Sequence, residues 1–194
     1  MKNHHKLFVA TLLSAAIGSN ANAADVNVYG KVIAPIAVDV AGMVNFGLIS
    51  AGSSSSIGLI SGLCALQAQA TESTPTVANK GGAYVTVKTY APATITFDKS
   101  GVKVMDADNV EVTNPGLSMT MTVYEDNESD ECVSLASSTD SSSVVTKTTS
   151  NTTEQSLGFF IGGTATANAD LANGTVAASG DYFSGSISVT ANYN

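Results

Sequence analysis

The chain contains no arginine and no tryptophan, and its two histidines, His4 and His5, both precede residue 24. We expect cleavage before residue 24, so the mature chain should lack imidazole. Serine and cysteine nucleophiles usually need an imidazole base, and zinc hydrolase sites usually need imidazole ligands. A carboxylate pair could serve a glycosidase, but no such pair lies in an aromatic or glycine-rich setting. We therefore predict a protein that is not an enzyme and uses no cofactor.

Basic residues are also scarce. The eight basic residues are all lysines, and Lys2 and Lys6 precede residue 24, which leaves six against sixteen acidic residues and a net charge of −10. Nucleic acid requires clustered lysine and arginine, and an anionic membrane surface repels an acidic chain. We expect no nucleic-acid partner and no direct insertion into a membrane.

The first 23 residues have the pattern of a secretory signal peptide. A basic start is followed by the apolar run Leu7–Ile17 and the small-residue site Ala21–Ala23. The run is too short to span a bilayer. We expect residues 1–23 to be removed, residues 24–35 to form an extension, and residues 36–194 to form one domain.

Only two cysteines are present, Cys64 and Cys132. An even number in an exported chain favours one disulfide. Such a bond could stabilise the fold by about 4 kcal/mol. The alternative is two free thiols.

Short alternating runs separated by turn residues fill the middle of the chain, which predicts an all-β sandwich. One pair, Val102–Met105 and Val110–Thr113, is expected to form a hairpin with an acidic turn. Only Cys64–Ala70 invites a helical interpretation, and Ser134–Glu154 is expected to be a long polar loop or an edge hairpin. The other predicted strands are Ile36–Val40, Val44–Ile49, Ile57–Leu66, Tyr84–Thr89, Thr94–Phe97, Leu117–Tyr124 and Leu157–Ile161.

The segment Glu125–Glu131 crowds five carboxylates into seven residues. Oxygen ligands of this kind suit calcium, but the spacing is not that of an EF-hand. We favour a solvated acidic loop over a calcium site.

The two ends of the mature chain carry clear period-2 patterns. In the first, ADVNVYGKVIAP at Ala24–Pro35, one face carries Val26, Val28, Gly30 and Val32. The second lies in Ser184–Asn194, where Ile187, Val189, Ala191 and Tyr193 alternate with polar residues.

These ends resemble those of pilins, the fimbrial subunits of the bacterial chaperone–usher pathway. The N-terminal run resembles the pilin donor extension, and the C-terminus resembles theirs in its penultimate Tyr193 and in Gly180, fourteen residues before the last residue. Val44–Ile49, Ile161–Thr164 and Tyr182–Asn194 also resemble a pilin-related bacterial secreted domain of unknown function.

The resemblance implies an immunoglobulin-like sandwich that lacks its final strand and is completed by donor-strand exchange. It implies that the function is structural, in a surface fimbria that contributes to cell adhesion. The implied partners are identical or related pilin subunits, a periplasmic chaperone and an outer-membrane usher, with export through the periplasm to the cell surface. The implied donor residues are Val26, Val28, Gly30 and Val32, and the implied acceptor residues are Gly180, Ile187, Val189, Ala191 and Tyr193.

The alternative function is a self-complete secreted sandwich that binds carbohydrate or another surface ligand. Sugar-binding platforms usually expose aromatic side chains, and this chain has no tryptophan and few other aromatics.

Overall fold

The computed structural model describes residues 32–59, 70, 76, 78–113, 116–127, 131–137, 143–169, 178 and 180–194. Within these ranges the chain forms strands and no α-helix, which confirms the all-β prediction. These ranges therefore contain no helix that could cross a bilayer. Ile33–Asn194 is one compact unit, called the body below.

Eleven strands are present in the described part of the body. They are β1 (Ala37–Asn45), β2 (Ser54–Ile57), β3 (Gly81–Thr89), β4 (Ala93–Asp98), β5 (Lys103–Met105), β6 (Leu117–Asn127), β7 (Glu131–Ser137), β8 (Val144–Thr148), β9 (Gln155–Ala167), β10 (Tyr182–Ser184) and β11 (Ser188–Tyr193).

The strands form two main sheets and a small ribbon, with antiparallel pairing throughout. The six-stranded sheet has the order β1-β3-β9-β6-β7, and β2 pairs with β9 beyond the end of β3. The second sheet has the order β11-β4-β8, and β10 pairs with β5. Strands that follow each other in the chain therefore often lie in different sheets.

The core lies between the two main sheets, as in a β-sandwich. Alternate residues of the central strands are fully buried, such as Val85 on β3 and Ile95 on β4. Phe97 and Phe159 meet edge to face across the core, with ring centroids 5.1 Å apart. The main core also contains Phe46, Ile57, Ala83, Val87, Met119, Met121, Val123, Val145, Leu157, Phe160, Ile161 and Ala165.

Two glycines let β9 pair with different strands along its length. β9 pairs with β3 as far as Ile161 and with β2 from Gly163 onwards. A Cβ on Gly162 would collide with the Ile57 carbonyl, and one on Gly163 with the Thr120 carbonyl. Gly163 also has φ +143°, which other residues rarely adopt.

The acidic turn of the predicted hairpin is confirmed, but Val110–Thr113 is not a strand and makes only a single bridge, between Glu111 and Met105. The Asp106 amide donates to the Val110 carbonyl over 2.9 Å, and the Val112 amide donates to the Val104 carbonyl over 2.9 Å. The Asp106 carboxylate accepts from the amides of Asp108 and Val110, each at 2.9 Å, which is how aspartate closes a turn.

The prediction for Ser134–Glu154 is wrong. β7 extends to Ser137, and β8 pairs with β4 in the opposite sheet rather than with β7. Val145 explains this placement, because its apolar side chain is 2% exposed opposite Phe97. The segment therefore contributes a core residue and belongs to the three-stranded sheet.

The C-terminal strand is shorter than its sequence pattern indicated. β10 ends at Ser184 and β11 begins at Ser188. Gly185 separates them with φ +118°, and a Cβ there would collide with the Gly101 carbonyl. Two other predictions fall largely outside the described residues: the helical interpretation of Cys64–Ala70 and the end of the strand Ile57–Leu66.

Candidate functional site: the open edge between the first and last strands

The last strand, β11, presents its apolar residues to the core. Val189 lies opposite Phe97, Ala191 opposite Ile95, and Tyr193 opposite Ala93. Directly opposed residues of an antiparallel pair share a face, and all three partners on β4 are fully buried. Among the described residues, β11 has a partner strand on one edge only.

The two edges of the three-stranded sheet differ in how well they are covered. Val145 on β8 and Val189 on β11 both lie opposite Phe97 in one cross-strand row. Val145 is 2% exposed, whereas Val189 is only partly buried. The core is therefore closed at Val145 and incompletely covered at Val189.

Strand β1 shows the same feature on the edge of the other sheet. Val38 lies opposite Val87 and Val40 opposite Val85. Although both β3 residues are completely buried, Val38 is 36% exposed and Val40 is 60% exposed. Core-facing valines that remain accessible mark a position where an apolar neighbour is missing among the described residues.

Residues 37–42 of β1 are all exposed, whereas Ile36 and residues 43–45 are at least partly buried. Ile36 and Val44, before and near the end of the strand, both pack against the main core. β1 and β11 approach each other along this side of the body. We call the strip formed by Val38, Val40, Val189 and Ala191 the open edge.

Tyr193 fixes one end of the open edge. Its hydroxyl donates to the Ala34 carbonyl over 2.7 Å and accepts from the Tyr90 amide over 3.3 Å. The residues just before β1 therefore lie beside the end of β11.

The two remaining predicted acceptor residues differ in position, because Ile187 is next to β11 and Gly180 is not. Ile187 directly precedes β11 and packs against the main core. Gly180 lies in the turn before β10, with φ +101°, where a Cβ would touch Ala107. Because β10 pairs with β5, Gly180 is not part of β11. Sequence reasoning missed Val38 and Val40, although it placed a strand at Ile36–Val40.

Of the predicted donor residues, the structure describes Val32, whose side chain is 98% exposed. Val26, Val28 and Gly30 lie outside the described residues. Cys132 lies in β7, partly buried against the core. Its predicted partner, Cys64, lies outside the described residues, so that disulfide stays a prediction.

The interpretation of Glu125–Glu131 as a solvated loop is wrong for its first residues. Glu125 belongs to β6, is 6% exposed and faces inward. Its carboxylate is 2.6 Å from the Lys147 ammonium on β8. Within the described ranges, no group of three acidic, histidine or cysteine side chains could hold a metal ion.

The outer face of the six-stranded sheet carries a polar contact of its own. Tyr84 donates its hydroxyl to the Asp126 carboxylate over 3.1 Å, across the strand that holds Gly158. A Cβ on Gly158 would collide with the Tyr84 hydroxyl. Burial, and then the hydrogen bond to Asp126 and its negative charge, raise the pKa of Tyr84 above its ordinary value.

Comparison with known proteins found no counterpart. No protein-family model matches the chain, no curated protein is significantly similar to it, and no solved structure matches its fold significantly.

Proposed function

We propose that this chain is a structural subunit of a surface fimbria, assembled when a strand from one copy fills the open edge of the next. The observation that carries the proposal is Val40, which faces the core but is 60% exposed. A donated strand between β1 and β11 would cover Val40 and give β11 a second hydrogen-bonded neighbour. This is β-strand addition, in which main-chain bonds supply affinity and side chains supply register.

The donor would be the extension Ala24–Pro35, whose apolar face carries Val26, Val28, Gly30 and Val32. Val32 is almost fully exposed, so its apolar side chain is accessible to another molecule. Glycine at the third position would suit a close approach between backbones. Burial of the three valines would contribute roughly 5–8 kcal/mol before ordering costs.

The anchoring of Ala34 favours one direction for the donated strand. The body begins beside Tyr193, at the end of β11. A donor strand parallel to β11 would place the donor's body at that same end, where the recipient's own extension begins. An antiparallel donor places its body at the Ser188 end and leaves the other end free. Antiparallel insertion therefore allows head-to-tail growth of a fibre.

The partners in this proposal are other copies of the chain or related subunits. Before assembly an exposed apolar edge is an aggregation hazard, so a periplasmic chaperone would cover it until an outer-membrane usher exchanges the strands. The site of action is the cell surface. These partners come from the resemblance of the two chain ends to pilins.

Removal of Ala24–Val32, which leaves the body and its Ala34–Tyr193 hydrogen bond intact, tests the proposal. The truncated chain should fold and be secreted with its chaperone but should form no SDS-resistant, heat-labile ladder on a gel. Val28→Asp should also abolish the ladder, because it places a charge on the buried face of the donor. Asn27→Asp, on the opposite face, is the matched control and should polymerise normally. Ladders of normal length from the truncated chain would refute the proposal.

A further inference from the structure

A pocket with polar walls lies at the β8 edge of the three-stranded sheet, the edge opposite β11. Its volume is about 440 Å³, within the range of small-molecule sites, roughly 300–1,000 Å³. It is formed by the end of β8, the connection to β9, the start of β9 and Glu125 of β6. Its lining residues are Glu125, Lys147, Thr148, Thr149, Ser150, Asn151, Thr153, Glu154, Gln155 and Leu157.

Glu125 breaks the pattern of its strand at this pocket. The inward positions of β6 are apolar from Leu117 to Val123, and the next is a carboxylate that is 6% exposed. A buried ion pair commonly contributes less to stability than apolar residues of the same size. The Glu125–Lys147 pair is therefore poorly explained by folding alone, and its position on a pocket wall suggests a binding role.

The pocket wall is held in place by hydrogen bonds. Thr149 donates its hydroxyl to Asn151 over 2.7 Å and accepts from the Ala93 amide over 2.9 Å. Asn151 donates to the Thr89 hydroxyl over 3.0 Å and to the Thr153 carbonyl over 2.8 Å. A wall fixed in this way is preorganised, which lowers the entropic cost of binding a ligand.

The charges of the pocket favour an uncharged ligand. Glu125 is paired with Lys147 over 2.6 Å, and Glu154 with Lys88 over 2.5 Å. The other polar lining groups are hydroxyls and side-chain amides, which both donate and accept. A sugar ring has many neutral groups that also donate and accept. The acidic net charge of the chain disfavours anionic sugars.

We infer that this pocket binds a neutral sugar residue, with the Glu125 carboxylate accepting from the sugar hydroxyls and Lys147 donating to them. Leu157 supplies an apolar contact for the ring carbons. No aromatic side chain is among the lining residues, so affinity should be weak, with Kd on the order of 1 mM. This site would give a fibre subunit its own receptor contact, and it does not depend on strand donation.

Saturation-transfer NMR on the secreted chain, with a panel of neutral mono- and disaccharides at millimolar concentration, tests the inference. At least one sugar should bind. Glu125→Gln should weaken its binding about tenfold, because a neutral amide replaces a charged acceptor. Ser150→Tyr, which fills the pocket mouth from an exposed position, should abolish binding.

Ser156→Tyr is the matched control, since Ser156 is exposed on β9 but is not a lining residue. It should bind like the parent chain. If Glu125→Gln fails to fold, Ser150→Tyr and its control still decide the question. An absence of signal for every sugar, or equal binding by the two tyrosine variants, would overturn the inference.

Discussion

Val40→Thr separates the stability of the body from its ability to receive a strand. The substitution keeps the shape of the side chain but replaces a methyl group with a hydroxyl. Because Val40 is 60% exposed, the variant should unfold with a free energy within about 0.5 kcal/mol of the parent. For a domain of this size, that is a change in Tm of about 2 °C or less.

Strand donation should respond much more strongly. Full burial of a valine contributes about 1.5–3 kcal/mol, and 60% of Val40 remains to be covered. Covering it should therefore supply about 1–2 kcal/mol. Val40→Thr removes one methyl group and puts a hydroxyl in the covered position, which should cancel most of that gain and weaken binding of a labelled Ala24–Pro35 peptide about 5- to 30-fold. Fluorescence anisotropy measures this affinity, and thermal unfolding measures the stability of the same preparations.

Val85→Thr is the matched control, because Val85 lies directly opposite Val40 and is completely buried. A hydroxyl at that position should destabilise the body by about 1–3 kcal/mol, which corresponds to about 2–12 °C in Tm. Equal loss of stability in the two variants would show that β1 is covered within the chain itself. Unchanged peptide affinity in Val40→Thr would show that the donated strand does not touch β1.

Two further predictions concern the polar contacts of the body. Lys147→Met should destabilise the protein by about 3–5 kcal/mol in urea titration, because it leaves the Glu125 carboxylate buried and unpaired. The double variant Glu125→Leu/Lys147→Met should recover most of that lost stability. A double variant as unstable as Lys147→Met would contradict this account. Asp126→Asn should lower the pKa of Tyr84 towards its ordinary value, measured by ultraviolet titration of tyrosinate, because it removes a negative charge that opposes ionisation. Since the folded-state pKa of Tyr84 is raised, the contribution of Tyr84 to stability is present below its unfolded-state pKa of 10.0 and is lost as pH rises through the folded-state pKa. A Tyr84 pKa that Asp126→Asn leaves unchanged would refute the role of the carboxylate.

The sequence predicted the strands whose apolar residues alternate without interruption. β6 and β11 follow from Leu117–Tyr124 and from the alternation of Val189, Ala191 and Tyr193. Each strand of this kind buries one face, so the alternation of its own residues is enough to predict it. The acidic turn was predictable for a different reason, because Asp106 closes it with local hydrogen bonds.

The sequence did not predict features that depend on distant neighbours. Glu125 belongs to an acidic run, and only the approach of Lys147 from the other sheet makes its burial possible. β8 carries one deeply buried residue, Val145, in a segment rich in serine and threonine. Local composition favoured a loop at both places, and a long-range contact decided otherwise.

The two strands that form the open edge, β11 and β1, differed in how well the sequence predicted them. β11 was predictable because its apolar residues alternate regularly, and a regular apolar face must be covered by a neighbouring element. β1 has a weaker pattern, and its exposure could not be derived from the sequence, since Val40 resembles any other inward valine until its neighbours are known. The exposure of Val40 supports the proposal of strand donation more strongly than the pattern of β11 does, because a self-complete sandwich also contains regular last strands. Inward valines that stay accessible between two packed ends, Ile36 and Val44, are instead what a body built to receive a strand requires.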